Sequence, residues 1–359
     1  MNSREISLGF NLERLQEASL HEGLILGRVI SQSKELYKVA TSDSEIIAEI
    51  TGKFRYDAAS VVDFPAVGDY VMIDHANSAS GIAIIHYVLK RKSIFERKAA
   101  GTGQGTQIIA VNIDTVFICM ALNNDFNLRR LERYLSIAWA SGALPVVVLT
   151  KADLCNNLAE KITDVNSAAA GADILVTNSL SEDGYRPIRQ YVTPGKTVAF
   201  IGSSGVGKST LVNRLLGNEI IETKEIRKDD KGRHTTSRRE LILVPGGGAV
   251  IDTPGMRELG IESADLARSF ADIDLLAESC RFSDCSHSSE PQCAVRKAIE
   301  TGDLSEKRLE NYLKLKKEAR YEGLNAKQIE KEKINVMFSG FGGRKNARNF
   351  IKNKNKHSK

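Results

Sequence analysis

Gly202-Ser203-Ser204-Gly205-Val206-Gly207-Lys208-Ser209 fits the pattern G-x-x-x-x-G-K-[S/T], and it lies between an apolar stretch, TVAFI, and a helix-forming one, STLVNRLL. Strand, glycine loop, helix is the context a phosphate-cradling loop requires. Glycines let consecutive backbone N–H groups close around phosphate oxygens, and the N-terminus of the following helix adds partial positive charge. Lys208 is placed to reach the β- and γ-phosphates, the Ser209 hydroxyl to bind Mg²⁺, and Thr210 continues the first helical turn. The other reading of such a stretch is a glycine-rich turn that binds nothing.

Flanking sequence extends this into a sheet. Runs at 113–122, 145–149, 172–176 and 196–201 are apolar enough to be buried strands, and helical spacing fills Leu128–Ser141 and Lys208–Leu216. Strands alternating with helices predict a mostly parallel sheet covered on both faces. Two more strands, 240–244 and 249–251, flank the turn Pro245-Gly246-Gly247-Gly248. The second leads into Asp252-Thr253-Pro254-Gly255, 44 residues beyond Lys208. Alone, that tetrapeptide is a common turn. Beside a phosphate loop, Asp252 can hold Mg²⁺ through water and the Gly255 N–H can sense a γ-phosphate.

Thr150-Lys151-Ala152-Asp153 follows the strand PVVVL. A carboxylate at a strand end accepts both N1–H and N2–H of guanine and is repelled by the N1 acceptor of adenine, while the Lys151 stem can lie over the purine. In Ras-like GTPases this motif follows the phosphate loop; here it precedes it by about 50 residues. Loops at one edge of a parallel sheet can meet whatever their chain order, so the expectation is the familiar sheet, circularly permuted. Asn178-Ser179-Leu180 would be the second base-contacting loop.

Around this centre, residues 22–97 hold five β-rich runs, which fit a small OB-type barrel or another small β-fold. The runs end in a basic rim, Lys90-Arg91-Lys92 with Arg97-Lys98, and 99–107 reads as a glycine-rich linker. After 260 the chain turns helical, with 304–321 amphipathic and Leu309, Tyr312 and Leu313 on one face. Within it, Cys280-x4-Cys285-x-His287-x5-Cys293 offers three thiolates and an imidazole, the donor set of tetrahedral structural Zn²⁺. A disulfide pair or unrelated buried thiols are the alternatives. Of the two other cysteines, Cys119 reads as core and Cys155 as incidental.

Composition narrows the classes. With 42% hydrophobic and 26% charged residues among 359, the chain is globular, not disordered or fibrous. No apolar run approaches the roughly 18 residues of a membrane span, and the first residues lack the apolar core of a secretion signal. The expectation is a cytoplasmic protein, monomeric, with no membrane association. The net charge of +5 conceals seven Lys/Arg and no acid in residues 344–359, which leaves the remainder at −2. A basic tail on a neutral body fits a polyanion partner or a solvated end.

The order TKAD, NSL, GSSGVGKST, GRHTTS, DTPG resembles the circularly permuted GTPases. With FNLRRLERYL, RHTT, PGGGAVIDTPGMRE and the cysteine cluster, it resembles within them the family of ribosome small-subunit-dependent GTPase A (RsgA), over roughly residues 20–300. The resemblance implies a multidomain α/β chain: an OB-fold at 1–98, a permuted GTPase domain at 99–260, and a zinc-binding helical domain with basic tail at 261–359. It implies GTP hydrolysis to GDP stimulated by the small ribosomal subunit, contact with its rRNA, and a role in late maturation of that subunit. A GTPase or GTP-sensing module acting on another structured RNA such as tRNA is the alternative. Thr150 departs from the usual Asn of the guanine motif.

The polar stretch 227–239 reads as a switch loop. Within it Thr236, in preference to Thr235, is the Mg²⁺ ligand expected with GTP bound. Ras-like enzymes often place a water-orienting Gln after the DxxG motif; here Met256 stands there and has no suitable donor or acceptor. His234 is the candidate to orient the water; its alternatives are contact with RNA or a plain place in the loop.

Overall fold

A computed structural model of the chain describes residues 1–33, 35–74, 81–98, 106–123, 125–178, 184–217, 239–252, 266–282, 284–288 and 290–321. Thirteen strands are described. β1 (Ile25–Ser33), β2 (Leu36–Ala40), β3 (Glu45–Ile50), β4 (Tyr70–Ile73) and β5 (Ala83–Val88) occupy the predicted barrel region. β6 (Ile94–Lys98) and β7 (Thr106–Val111) follow, then β8 (Thr115–Ala121), β9 (Leu144–Thr150), β10 (Asp173–Val176), β11 (Thr197–Gly202), β12 (Glu240–Leu243) and β13 (Ala249–Asp252).

The first five pair in the order β1-β2-β3-β5-β4, and β4 returns to β1, which closes the barrel. Its interior is the alternate set Val29, Val39, Val71, Ile73, Ala83 and Ile85, all fully buried. The third run ends sooner than its composition suggests: Gly52–Asp57 is a helix, started by the Thr51 hydroxyl accepting from the Phe54 N–H at 2.9 Å.

The second sheet runs β10-β9-β8-β11-β13-β12, with β10 through β13 parallel and β12 antiparallel at the end. Side chains alternate between its faces. On β8, Ile118 and Met120 join Leu131, Leu135 and Ala138 of the helix Leu128–Ser141, whereas Phe117 and Cys119 join Leu211, Val212 and Leu215 of the helix Lys208–Leu216. That is the predicted two-face cover, and both helices have the predicted limits. Cys119 is core, as expected; burial pushes its thiol up to about 12.

Among the contacts that tie the barrel to the parallel sheet, two stand out. β1 pairs with β12 at Ser31 and Glu240. The wholly buried Arg28 donates to the Leu8 carbonyl and to the Thr197 hydroxyl, each at 2.7 Å. Thr197 opens the strand that ends in the phosphate loop, so barrel and nucleotide strand share a buried polar anchor.

Three readings of the sequence are corrected. Part of the rim and the last residues of the expected linker are strand, β6 pairing antiparallel with β7; charges at 96–98 hide the alternation, and 99–105 lie outside the described residues. Arg91 of the basic rim points inward, 2.6 Å from the fully buried Asp69, and Lys92 is 2.6 Å from Asp114. On the last helix, Glu306–Tyr321, the core face is Leu309, Tyr312 and Leu315, while Leu313 is 37% exposed. These pack on Phe270, Ile273, Val295 and Ala298 as a separate small core.

Candidate functional site

Parallel strands send their C-terminal ends to one edge, and the register says which loops meet there. Thr150 on β9 is level with Ala121 on β8, Cys119 on β8 with Gly202 on β11, and Ile251 on β13 with Ala199 on β11. The guanine motif, the phosphate loop and Asp252 therefore leave the same edge of one sheet, as the permuted reading requires.

A bond joins two of them directly. The Thr150 hydroxyl, 3% exposed, donates to the Val206 carbonyl at 2.7 Å. Thr150 thus fixes the phosphate loop to the strand carrying Lys151, Ala152 and Asp153. The loop itself demands glycine: Gly202 has φ +142° and a Cβ there would sit 2.4 Å from the Cys119 carbonyl oxygen, and Gly207 has φ +104°. Gly207 caps the helix Lys208–Leu216, so the first helical N–H groups face the loop. Ser203, Ser209 and Thr210 are half-buried, and Ser204 and Gly205 exposed. The Lys208 ammonium donates to the Gly202 and Ser203 carbonyls at 2.8 and 2.6 Å, folded back over the loop.

Lys151 has φ +57°, and Asp153 is exposed in the short turn Ala152–Leu154. That leaves the Asp153 carboxylate open to solvent at the guanine side of the edge. Ser209 and the half-buried Asp252 supply a hydroxyl and a carboxylate oxygen on the phosphate side, the hard donors Mg²⁺ prefers. Asn178 follows β10 on the same edge and donates its N–H to Gly184. Gly255, His234 and Thr236, and Ser179 and Leu180, lie outside the described residues.

Sequence reading missed Asp125, in the loop after β8. Its carboxylate accepts from the Ser203 hydroxyl and pairs with Arg130 at 2.9 Å. Burial works to raise this carboxyl, and the Ser203 and Arg130 contacts outweigh it and hold it below the usual range. Also missed was the joint between helices, in which Glu132, 4% exposed, meets Arg308 at 2.5 Å and accepts from Asn311. Glu132 could have been suspected as an acid on the apolar stripe Leu131, Leu135, Ala138; Asp125 carried no signal beyond its place in the loop.

The cysteine cluster converges as its spacing predicts. All four donor atoms of Cys280, Cys285, His287 and Cys293 lie within 4.8 Å of one another. Cys280 Sγ is 3.9 Å from Cys293 Sγ, and His287 Nδ1 is 3.7 and 3.5 Å from those two sulfurs. Tetrahedral zinc with ordinary bond lengths puts S···S near ~3.8 Å and S···N near ~3.6 Å. A disulfide needs ~2.05 Å, so those thiols are unbridged. Cys293 starts the helix Ala294–Thr301 and its sulfur accepts the Arg296 N–H at 3.4 Å. The Glu290 carboxylate takes N–H bonds from Ser286 and Ser288, both at 2.9 Å, and braces the turn that carries His287. With the Ser286 hydroxyl first among its donors, it is held down to about 2.

Known proteins share this plan. The RsgA GTPase family matches residues 88–262. The small ribosomal subunit biogenesis GTPase RsgA 2 of Lactiplantibacillus plantarum is 52% identical over 336 residues, 93% of this chain and 95% of that one. The small ribosomal subunit biogenesis GTPase RsgA of Methanosarcina acetivorans is 40% identical over 92% of this chain and 90% of its own. The crystal structure of YjeQ from Thermotoga maritima superposes with a TM-score of 0.61 at 26% identity, covering 82% of this chain and 98% of that one. YloQ, a circularly permuted GTPase, gives 0.60 at 25% identity over 84% and 96%. With relatives 40–52% identical over nine-tenths of its length, the chain belongs to the RsgA GTPase family.

Proposed function

We propose that this protein hydrolyses GTP to GDP and phosphate as a biogenesis factor of the small ribosomal subunit, acting in the late maturation of that subunit and stimulated by it. The observation that carries the reading is the 2.7 Å bond from Thr150 to Val206, which makes the guanine motif and the phosphate loop one site despite their inverted order. The names of relatives 40–52% identical over nearly the full length support the ribosomal role.

In this reading residues 202–210 cradle the phosphates and Lys208 moves from its loop carbonyls onto the β- and γ-phosphates. Asp153 selects guanine, and Lys151 and Ala152 line the ring. Ser209, Thr236 and, through water, Asp252 hold Mg²⁺, which neutralises phosphate charge, and the Gly255 N–H senses the γ-phosphate. His234 orients the attacking water, because Met256 offers no polar atom. Cys280, Cys285, His287 and Cys293 hold one structural Zn²⁺ with no coordination position left for chemistry. Residues 1–98, 99–260 and 261–359 serve as barrel, GTPase and zinc domains of a cytoplasmic monomer, and the barrel and the basic tail 344–359 meet rRNA phosphates. Among the described residues no helix is long and apolar enough to cross a membrane.

The test is GTP turnover with and without purified small subunits. Stimulation at least tenfold is expected, and its loss in His234→Ala with nucleotide binding intact. Equal turnover in both conditions contradicts the ribosomal reading; an unchanged stimulated rate in His234→Ala removes that residue from catalysis.

A further inference from the structure

The carboxylate of Asp125 raises a question of charge. It stands beside the loop that cradles phosphates, where a negative group repels the ligand. It does not cap the helix that follows, since Asn127 does so, accepting the Arg130 N–H at 3.0 Å. Among the described residues its side chain bonds the Ser203 hydroxyl, inside the phosphate loop, and the Arg130 guanidinium, which compensates its charge at 2.9 Å, and the Lys151 charge acts on it as well. Arg130 Nη2 also holds the Asp125 carbonyl at 2.5 Å, so the backbone of this loop is fixed as well.

The helix Leu128–Ser141 that carries Arg130 is itself gripped from the C-terminal domain. Glu132 is buried against Arg308 and Asn311 of the last helix, and Arg308 is held in turn by both Asp272 oxygens at 2.8 and 2.9 Å and by the Ser269 carbonyl at 2.9 Å. At the exposed rim of the same joint Arg129 meets Glu310 at 2.5 Å. The start of this helix is therefore bonded to Asp125, and through it to Ser203 of the phosphate loop, and also to the zinc-bearing domain. The buried Glu132–Arg308–Asn311 contacts have few alternative arrangements, so a shift of the last helix displaces the start of the helix that carries Arg130.

We propose that Asp125 is a positioning residue for the nucleotide cradle, coupled through Arg130 and the Glu132–Arg308 joint to the C-terminal helix, so that the seating of that helix sets affinity for guanine nucleotides. The inference rests on the phosphate-loop reading above. The Asp125–Ser203 bond exists before any nucleotide arrives, so its loss is expected to weaken GTP and GDP alike, raising KM and sparing kcat.

The experiment titrates a fluorescent GDP analogue and GTP against the full-length zinc-loaded protein, with zinc content and melting curves measured for each variant. Asp125→Ala is expected to weaken both nucleotides about tenfold, the loss of one charge-assisted hydrogen bond. Asp125→Asn, which keeps an acceptor for Ser203, recovers most of it. Ser203→Ala gives a similar loss from the other end. Arg308→Met and the milder Glu132→Gln weaken GDP several-fold at unchanged zinc content, and Arg308→Met adds little on top of Asp125→Ala. Wild-type affinity in Asp125→Ala overturns the proposal. Full additivity of Asp125→Ala and Arg308→Met, or wild-type affinity in both Arg308→Met and Glu132→Gln, overturns the coupling. Absence of guanine-nucleotide binding by the unmodified protein instead sinks the reading on which it rests.

Discussion

The nucleotide edge and the cysteine cluster are built in opposite ways. The edge gathers residues 125, 150, 202–209 and 252 from four strand ends, and most of what it offers a ligand is backbone N–H. The cluster takes four side chains from fourteen consecutive residues, at the margin of the small core that Phe270, Ile273, Val295, Leu309 and Tyr312 form. The edge is therefore made by the fold and exists before its ligand. The cluster brings three thiols and an imidazole within 4.8 Å of one another, a crowding that a bound metal would compensate, so there the ligand is expected to hold the local structure together. This difference is what removal of each ligand, or of each contact, can break or sharpen.

The largest effect is expected at the metal. Structural zinc in small domains supplies ~10–16 kcal/mol of apparent binding free energy. Cys293→Ser, or chelation, should empty the site and unfold the helices of residues 266–321 while the sheet persists, as amide exchange would report. Protection retained in those helices without metal would erase the contrast between the two regions. Next is Lys208→Ala, expected to weaken GTP at least ~100-fold through loss of a charged phosphate contact; calorimetric titration reads it, and the fold should be unaffected. Arg308→Met leaves the buried Glu132 carboxylate with the Asn311 amide but without its countercharge, and breaking a buried pair in this way costs about 3 kcal/mol. Denaturant unfolding should show that loss, while the conservative pair swap to two apolar residues should restore much of it. Smallest is Thr150→Val, which leaves the Val206 carbonyl without its donor inside the protein. The expected loss is about 1–2 kcal/mol of stability, with GTP affinity falling alongside because the same bond shapes the loop.

Legibility in the sequence followed the same division. The phosphate loop, the guanine motif and the Cys/His spacing were readable because each packs its chemistry into a few neighbouring residues with a required strand or helix on either side. The closed barrel was readable from five alternating runs. What links the units was not. Arg28 reads as one polar residue inside a strand, yet it is wholly buried and bonds across 169 positions to Thr197. Glu132 and Arg308 are 176 apart, and each is a charge on the apolar stripe of its helix that shows no partner nearby in the sequence. Arg91 looks like part of an exposed basic rim and is turned onto Asp69. Buried ion pairs need both partners in view, and only the folded chain shows them together. The hairpin of β6 and β7 was lost for a related reason: Glu96, Arg97 and Lys98 break its apolar alternation.

The account stands on guanine being read by a motif that precedes the phosphate loop in the chain. Asp153→Asn tests this most directly. An amide in place of the carboxylate loses the acceptor for the N2–H of guanine and gains a donor suited to the 2-oxo group of xanthine. Binding of GTP and XTP measured side by side should reverse in preference, with GTP weakened and XTP strengthened at unchanged affinity for free phosphate. Preference for GTP as strong as in the unmodified protein would contradict the assignment of Asp153 and, with it, the single permuted site.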